Sequence, residues 1–118
     1  MKRETIREWM ENREELNGLV LGSAGLPVKR FYGIDEQAYR EGALPAKTKE
    51  LLGLVASFVL RCDDCVRWHA IRCRELGVTD EELDEAVAIG LVVGGSITIP
   101  HQRRLMRDWK ELKEDAND

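Results

Sequence analysis

The stretch Ala46–Arg61, "AKTKELLGLVASFVLR", constrains the fold more than any other part of the chain. It is built of good helix formers without proline, and after Glu50 its apolar residues run nearly all the way round a helix. Such a helix needs burial on most sides, so neighbouring segments must pack around it. No window of the sequence alternates apolar and polar residues as a half-buried strand would. The expected fold is therefore all-α with about six helices. A chain of 118 residues is long enough for one domain, 1–118, with a modest core.

Flanking segments fit that architecture. Glu4–Leu16 carries Ile6, Trp9, Met10 and Leu16 at roughly helical spacing, and Asn17-Gly18 reads as its C-cap. Pro27 opens a short segment with Phe31 and Ile34, and Asp35 reads as the N-cap of a further helical piece. After the buried helix, the next should start within the pair Cys62/Cys65 and end at Gly77. Thr79 followed by Glu82 is a capping box, and Val78 can staple onto Leu83. That helix runs into "AIGLVVGGS", whose lack of charge predicts burial. A last helix opens near Pro100, with Leu105, Met106, Trp109 and Leu112 on one face, before a charged tail.

The formal net charge of -4 and pI near 5.3 argue against nucleic acid or an anionic membrane as partner. The N-terminal "MKRETIREWMENREEL" lacks the apolar core of a signal peptide or anchor. The apolar run Ala86–Val93 is too short to span a bilayer. A cytoplasmic location is the expectation. In a reducing compartment a close cysteine pair reads as redox-active or metal-binding rather than as a permanent staple.

The chemistry concentrates in "VLRCDDCVRWHAIRCREL", Val59–Leu76. Cys62, Cys65, His69 and Cys73 fall near one helical face, yet the first and last are roughly 16 Å apart along the axis at 1.5 Å rise per residue. One helix cannot wrap all four around a single metal ion. A partial site from Cys65 and His69 stays open, but no second Cys/His pair completes it. A disulfide between Cys62 and Cys65 is geometrically easy at a helix start. There the free N–H groups and the helix dipole stabilise a thiolate. Arg61 and Arg67 favour it, while Asp63 and Asp64 oppose it. His69, one turn beyond Cys65, suits proton transfer to or from a thiol. Glu50 stands at the start of the buried helix, above Gly53 and Ser57. It reads as either a first-turn surface glutamate or a functional group. Cys73 reads as a small core residue, His101 as a surface or subunit-contact histidine, and Trp9, Trp68 and Trp109 as core or interface aromatics.

These residues, from Lys47 through Val87 together with the later "GG", resemble the carboxymuconolactone decarboxylase family and, within it, the alkylhydroperoxidase D-like branch. The branch pattern is a glutamate one helix before a CxxC, then a histidine four residues after its second cysteine. Here these are Glu50, Cys62, Cys65 and His69, and the strong match covers about Ala43–Gly95. The resemblance implies an all-α homo-oligomer, a trimer or hexamer, with Glu50 and His69 in a proton relay serving the cysteines. It also implies thiol-dependent peroxide reduction or disulfide exchange, with a peroxide or disulfide as substrate and a dithiol or thiol protein as reductant. No cofactor or metal is expected. Family peroxidases carry a further histidine just before the second cysteine, where this chain has Asp64.

The expected cycle assigns the peroxide step to Cys65, adjoining His69, and the meeting with the reductant to Cys62 at the more exposed helix start. Two rivals remain. One is a non-catalytic helical oligomer whose cysteines only sense redox state or bind metal. The other is an enzyme of the same fold acting on a lactone or carbonyl, whose activity would survive loss of both cysteines.

Overall fold

The structure, a computed structural model, describes residues 3–116 and falls into two compact units, one ending at Arg40 and the other beginning at Glu41. The first holds α1 (Ile6–Ser23) and α2 (Leu26–Ala38). Thr5 caps α1 through a capping box, its Oγ1 accepting the Glu8 N–H at 3.1 Å. The expected break at Asn17-Gly18 does not occur, and α1 continues to Ser23. Glycine lowers helix propensity but ends a helix only where it turns left-handed, and Gly18 does not. Nor does Asp35 start a separate helix. It lies inside α2, which Pro27 opens from the first turn, a position that needs no N–H donor.

The second unit contains α3 (Ala46–Val59), α4 (Asp63–Glu75), α5 (Asp80–Gly94) and α6 (Ile99–Ala116), with one 3₁₀ turn (Ser96–Thr98) before α6. Among the described residues there are six α-helices and no strand, the all-α architecture the patterning predicts. None of these helices is long and apolar enough to cross a membrane. The core joins Leu54 and Phe58 of α3 to Val66, Ala70 and Cys73 of α4, Val87 of α5, and Leu105 and Trp109 of α6. Val78 and Leu83 are both buried in it, as the staple requires.

Helix α3 packs on α4 and α5, and the α5 crossing depends on Gly90. A Cβ there would sit 2.6 Å from Phe58 Cδ1, inside van der Waals contact. The expected burial holds for most of α3, whose residues are buried or half-buried apart from Leu52 and Ala56. It fails for the uncharged run "AIGLVVGGS" at the end of α5, where only Gly90, Leu91 and Gly94 are covered even in part. Leu52 and Leu60 are exposed, as are Ile89, Val92 and Val93 on one face of α5, because two neighbours cannot cover a helix that is apolar all round.

The start of α5 is tied down from three directions. Thr79 Oγ1 accepts the Glu82 N–H at 3.1 Å, and Lys47 reaches Glu82 from α3 at 2.9 Å. Asp80 accepts from Trp109 Nε1 at 2.8 Å and from Lys113 at 2.7 Å, so the charged end of α6 is an anchor rather than a loose tail. Lys113, then Trp109, hold the Asp80 carboxyl below its ordinary range. The Thr79 N–H, then Lys47, do the same for Glu82. Groups with lowered folded-state pKa stabilise fully above the ordinary carboxylate values near pH 4 and lose that effect as pH falls through their folded values. We expect Thr79→Ala to cost about 1 kcal/mol in urea unfolding at neutral pH. Both proteins should lose stability alike as pH falls through the folded values of Asp80 and Glu82, because the Thr79 N–H and Lys47 that lower the Glu82 value remain in the variant.

Candidate active site

The site is built at the three-residue link between α3 and α4. Helix α3 ends at Val59, and Cys62 already caps α4. The Arg61 N–H donates to Phe58 O and the Cys62 N–H to Ser57 O, both at 3.0 Å, closing the helix end tightly. This closure puts Arg61 at φ 62, the left-handed region where a side chain is strained and glycine is usual. In return, α4 starts at once and folds back along α3. Cys62 Sγ, at the N-cap, accepts the Cys65 N–H at 3.2 Å. The two cysteines are joined by a disulfide across 5.3 Å between Cα atoms. Cys65 is exposed and Cys62 half-buried. The expected order of exposure is thus reversed: Cys62, the N-cap whose sulfur takes the Cys65 N–H, is the more covered of the two.

Antiparallel packing of the two helices brings Glu50 and His69 together. His69 Nδ1 and Glu50 Oε2 share a hydrogen bond of 2.8 Å. Both residues are buried, at 3% and 8% exposure, so neither is the surface group its local sequence allows. Buried ionisable groups must be partnered, and each supplies what the other lacks. Arg72 Nε lies 3.7 Å from the second oxygen, Glu50 Oε1, and Arg72 also pairs with Glu75. One further turn along α4, Cys73 is fully buried. Burial, then the nearby Glu50 charge, push its thiol up to about 12, with Arg72 pulling the other way. Such a thiol does not ionise at neutral pH and is a core residue, as its sequence context suggests.

The charges around the pair are disposed differently from the sequence expectation. Asp63, between the cysteines, accepts from Arg104 Nε and from His101 Nδ1, each at 2.7 Å. Arg67 donates through Nε and Nη2 to the buried Asp108 carboxylate at 3.0 and 3.3 Å. It is therefore not a dedicated partner of the thiolate. A polar recess of about 150 Å³ opens between α4 and α6, walled by Asp63, Asp64, Arg67, Arg104 and Asp108. The larger cavity, about 570 Å³, lies between α5 and α6 beside Asp84, Met106 and Trp109, and no residue of the cysteine site lines it.

All four sequence candidates, Cys62, Cys65, His69 and Glu50, thus meet at the α3–α4 pair, with Glu50 and His69 in direct contact. Arg72, His101 and Arg104 were not legible as site residues. Their partners lie 22, 38 and 41 positions away, and no local spacing announces such pairs.

Comparison with known proteins agrees with the fold. The model of the carboxymuconolactone decarboxylase family matches residues 26–108. The chain is 53% identical to a Thermotoga maritima protein of known crystal structure, covering 94% of this chain and 97% of that one with a TM-score of 0.92. A second T. maritima crystal structure, 52% identical with a TM-score of 0.90 and 93% of each chain covered, is described as a carboxymuconolactone decarboxylase family protein with a suggested involvement in antioxidative response. A Legionella pneumophila protein of the same family shares the fold at 24% identity, with a TM-score of 0.68 over 90% of this chain and 88% of that one. An uncharacterized Cupriavidus necator protein is 37% identical over 65 residues, 55% of this chain. The match spans 58% of that relative's length.

The cysteine geometry predicts that mild peroxide followed by alkylation leaves Cys62 and Cys65 disulfide-linked and Cys73 alkylated only after unfolding. Peptide mass spectrometry reads this directly. Cys73 in the main disulfide would contradict the site.

Proposed function

The chain belongs to the carboxymuconolactone decarboxylase family, and on that footing we propose that it is a thiol-dependent peroxidase or disulfide oxidoreductase working through Cys62 and Cys65. The observation that carries this reading is the buried Glu50–His69 hydrogen bond, one helical turn from a disulfide-forming pair. The antioxidative involvement suggested for the T. maritima relative points the same way.

In the proposed cycle the Cys65 thiolate attacks the distal peroxide oxygen. The O–O bond breaks, Cys65 becomes a sulfenic acid, and the departing alkoxide takes a proton. His69 supplies and recovers protons, oriented through Nδ1 by Glu50. The Cys62 thiolate, stabilised at the N-cap, then attacks the Cys65 sulfur. Hydroxide leaves, is protonated to water, and the disulfide closes. An external dithiol reopens it by attacking the exposed Cys65. Cys62 is then the leaving thiolate, and the Cys65 N–H that contacts its sulfur eases that departure. A second turn of exchange releases the oxidised dithiol and restores both thiols.

We also propose a homo-oligomer, on the apolar face that Ile89, Val92 and Val93 leave exposed on α5. Light scattering at micromolar concentration should give a multiple of 13.5 kDa, and a monomer would overturn it.

The functional test is peroxide consumption with a panel of dithiols. Glu50→Gln keeps shape and some hydrogen bonding but cannot accept a proton. It should fold and assemble normally while turnover falls roughly 10²-fold. His69→Asn should lower turnover similarly, and the double variant should lose less than the product, because both residues handle one proton. Full activity in Glu50→Gln removes the relay. Reversible oxidation without sustained turnover makes the protein a redox-sensing module instead.

A further inference from the structure

Asp63 sits between the two cysteines and opens α4, and helix α6 meets it with two partners. Arg104 Nε donates to Oδ2 and His101 Nδ1 donates to Oδ1, each at 2.7 Å. Arg104 Nη2 lies 3.3 Å from the same His101 nitrogen, so the three side chains close into one cluster. The Asp63 and Arg104 side chains are 45% and 42% exposed, and an ion pair this open contributes little to folding stability. Its position suggests another consequence. A carboxylate beside a thiolate opposes ionisation of the sulfur, and a guanidinium bound to that carboxylate removes much of the opposition. The other charges near the pair do not replace it. Asp64, on the same turn, adds a negative charge; Arg61 belongs to the preceding junction; Arg67 is engaged by Asp108.

We infer that Arg104 and His101 are positioning residues of the cysteine site: reaching over from α6, Arg104 neutralises Asp63 and the two side chains together orient it, so that the helix N-terminus governs thiolate formation. The inference rests on the reading of Cys62 and Cys65 as the reactive pair. It explains how a chain can carry an acidic residue directly inside its CxxC. Asp63 favours the start of α4 by its charge, and α6 cancels the effect of that charge on the sulfurs.

The test is the pH profile of iodoacetamide alkylation of Cys62 and Cys65 in fully reduced protein, read by peptide mass spectrometry. Arg104→Gln leaves Asp63 uncompensated, and the thiolate pKa should rise by about one pH unit. Asp63→Asn should lower it, because the cation stays while the anion goes. The double variant should return close to wild type, and Arg104→Lys should stay there. A purely structural contact would not move the two single variants in opposite directions. Equal profiles in all variants, or shifts of the same sign, would overturn the inference. If Arg104→Gln fails to fold, Asp63→Asn decides: a lowered profile supports the inference and an unchanged one overturns it. The readout needs no peroxide turnover, so a chain inert toward peroxide would refute the function above while leaving this measurement valid.

Discussion

A carboxylate and an imidazole share one hydrogen bond inside the α3–α4 pair, and much of the surrounding structure is needed to hold them there. Glu50 and His69 are both sealed from water, and neither is stable in that setting without the other. Their contact requires one axial register of the two helices. A slip of one residue along either axis, about 1.5 Å, would lengthen the bond beyond use and strand both groups. Arg72 on the second carboxylate oxygen reduces the freedom of Glu50 further.

That register is set at the far end by a three-residue junction. Leu60, Arg61 and Cys62 separate the two helices, with Arg61 accepting a left-handed backbone that glycine would adopt more easily. The strain is local, of order 1 kcal/mol. It lets one residue, Cys62, serve as both the end of the turn and the N-cap of α4. The cysteine pair and the buried Glu–His pair are therefore two consequences of one tight helical return. Gly90 completes the arrangement from outside by letting α5 press against Phe58, on the same helix that carries Glu50.

Electrostatics near the cysteines are shared among three helices. α4 contributes the N-terminal N–H groups and two carboxylates, α3 contributes the buried glutamate, and α6 contributes the Arg104 guanidinium and the His101 ring that engage Asp63. Residues adjacent in sequence are consequently poor guides to the field at the sulfurs. Asp63 reads as an opponent of the thiolate until its partners are seen, and Arg67 reads as an ally until Asp108 is seen.

The sequence by itself determined what depends on local periodicity and capping. The all-α class, the α4 start at the cysteine pair, the Thr79–Glu82 capping box and the helix opening at Pro100 follow from interactions within a few residues. Gly18 and Asp35 misled, because a glycine or an aspartate marks a boundary only if the backbone there leaves the helix, and nothing local forces it to. The resemblance to a known family singled out Glu50, since its own neighbours fit a surface position equally well. Only the tertiary structure decided that Glu50 touches His69, that Cys65 is more exposed than Cys62, and that His101 and Arg104 reach Asp63. Each of these is a contact or a shadow cast by a distant segment. The physical reason is common to all: burial and charge pairing are properties of where helices cross, and crossings are fixed by packing that no single window of residues contains.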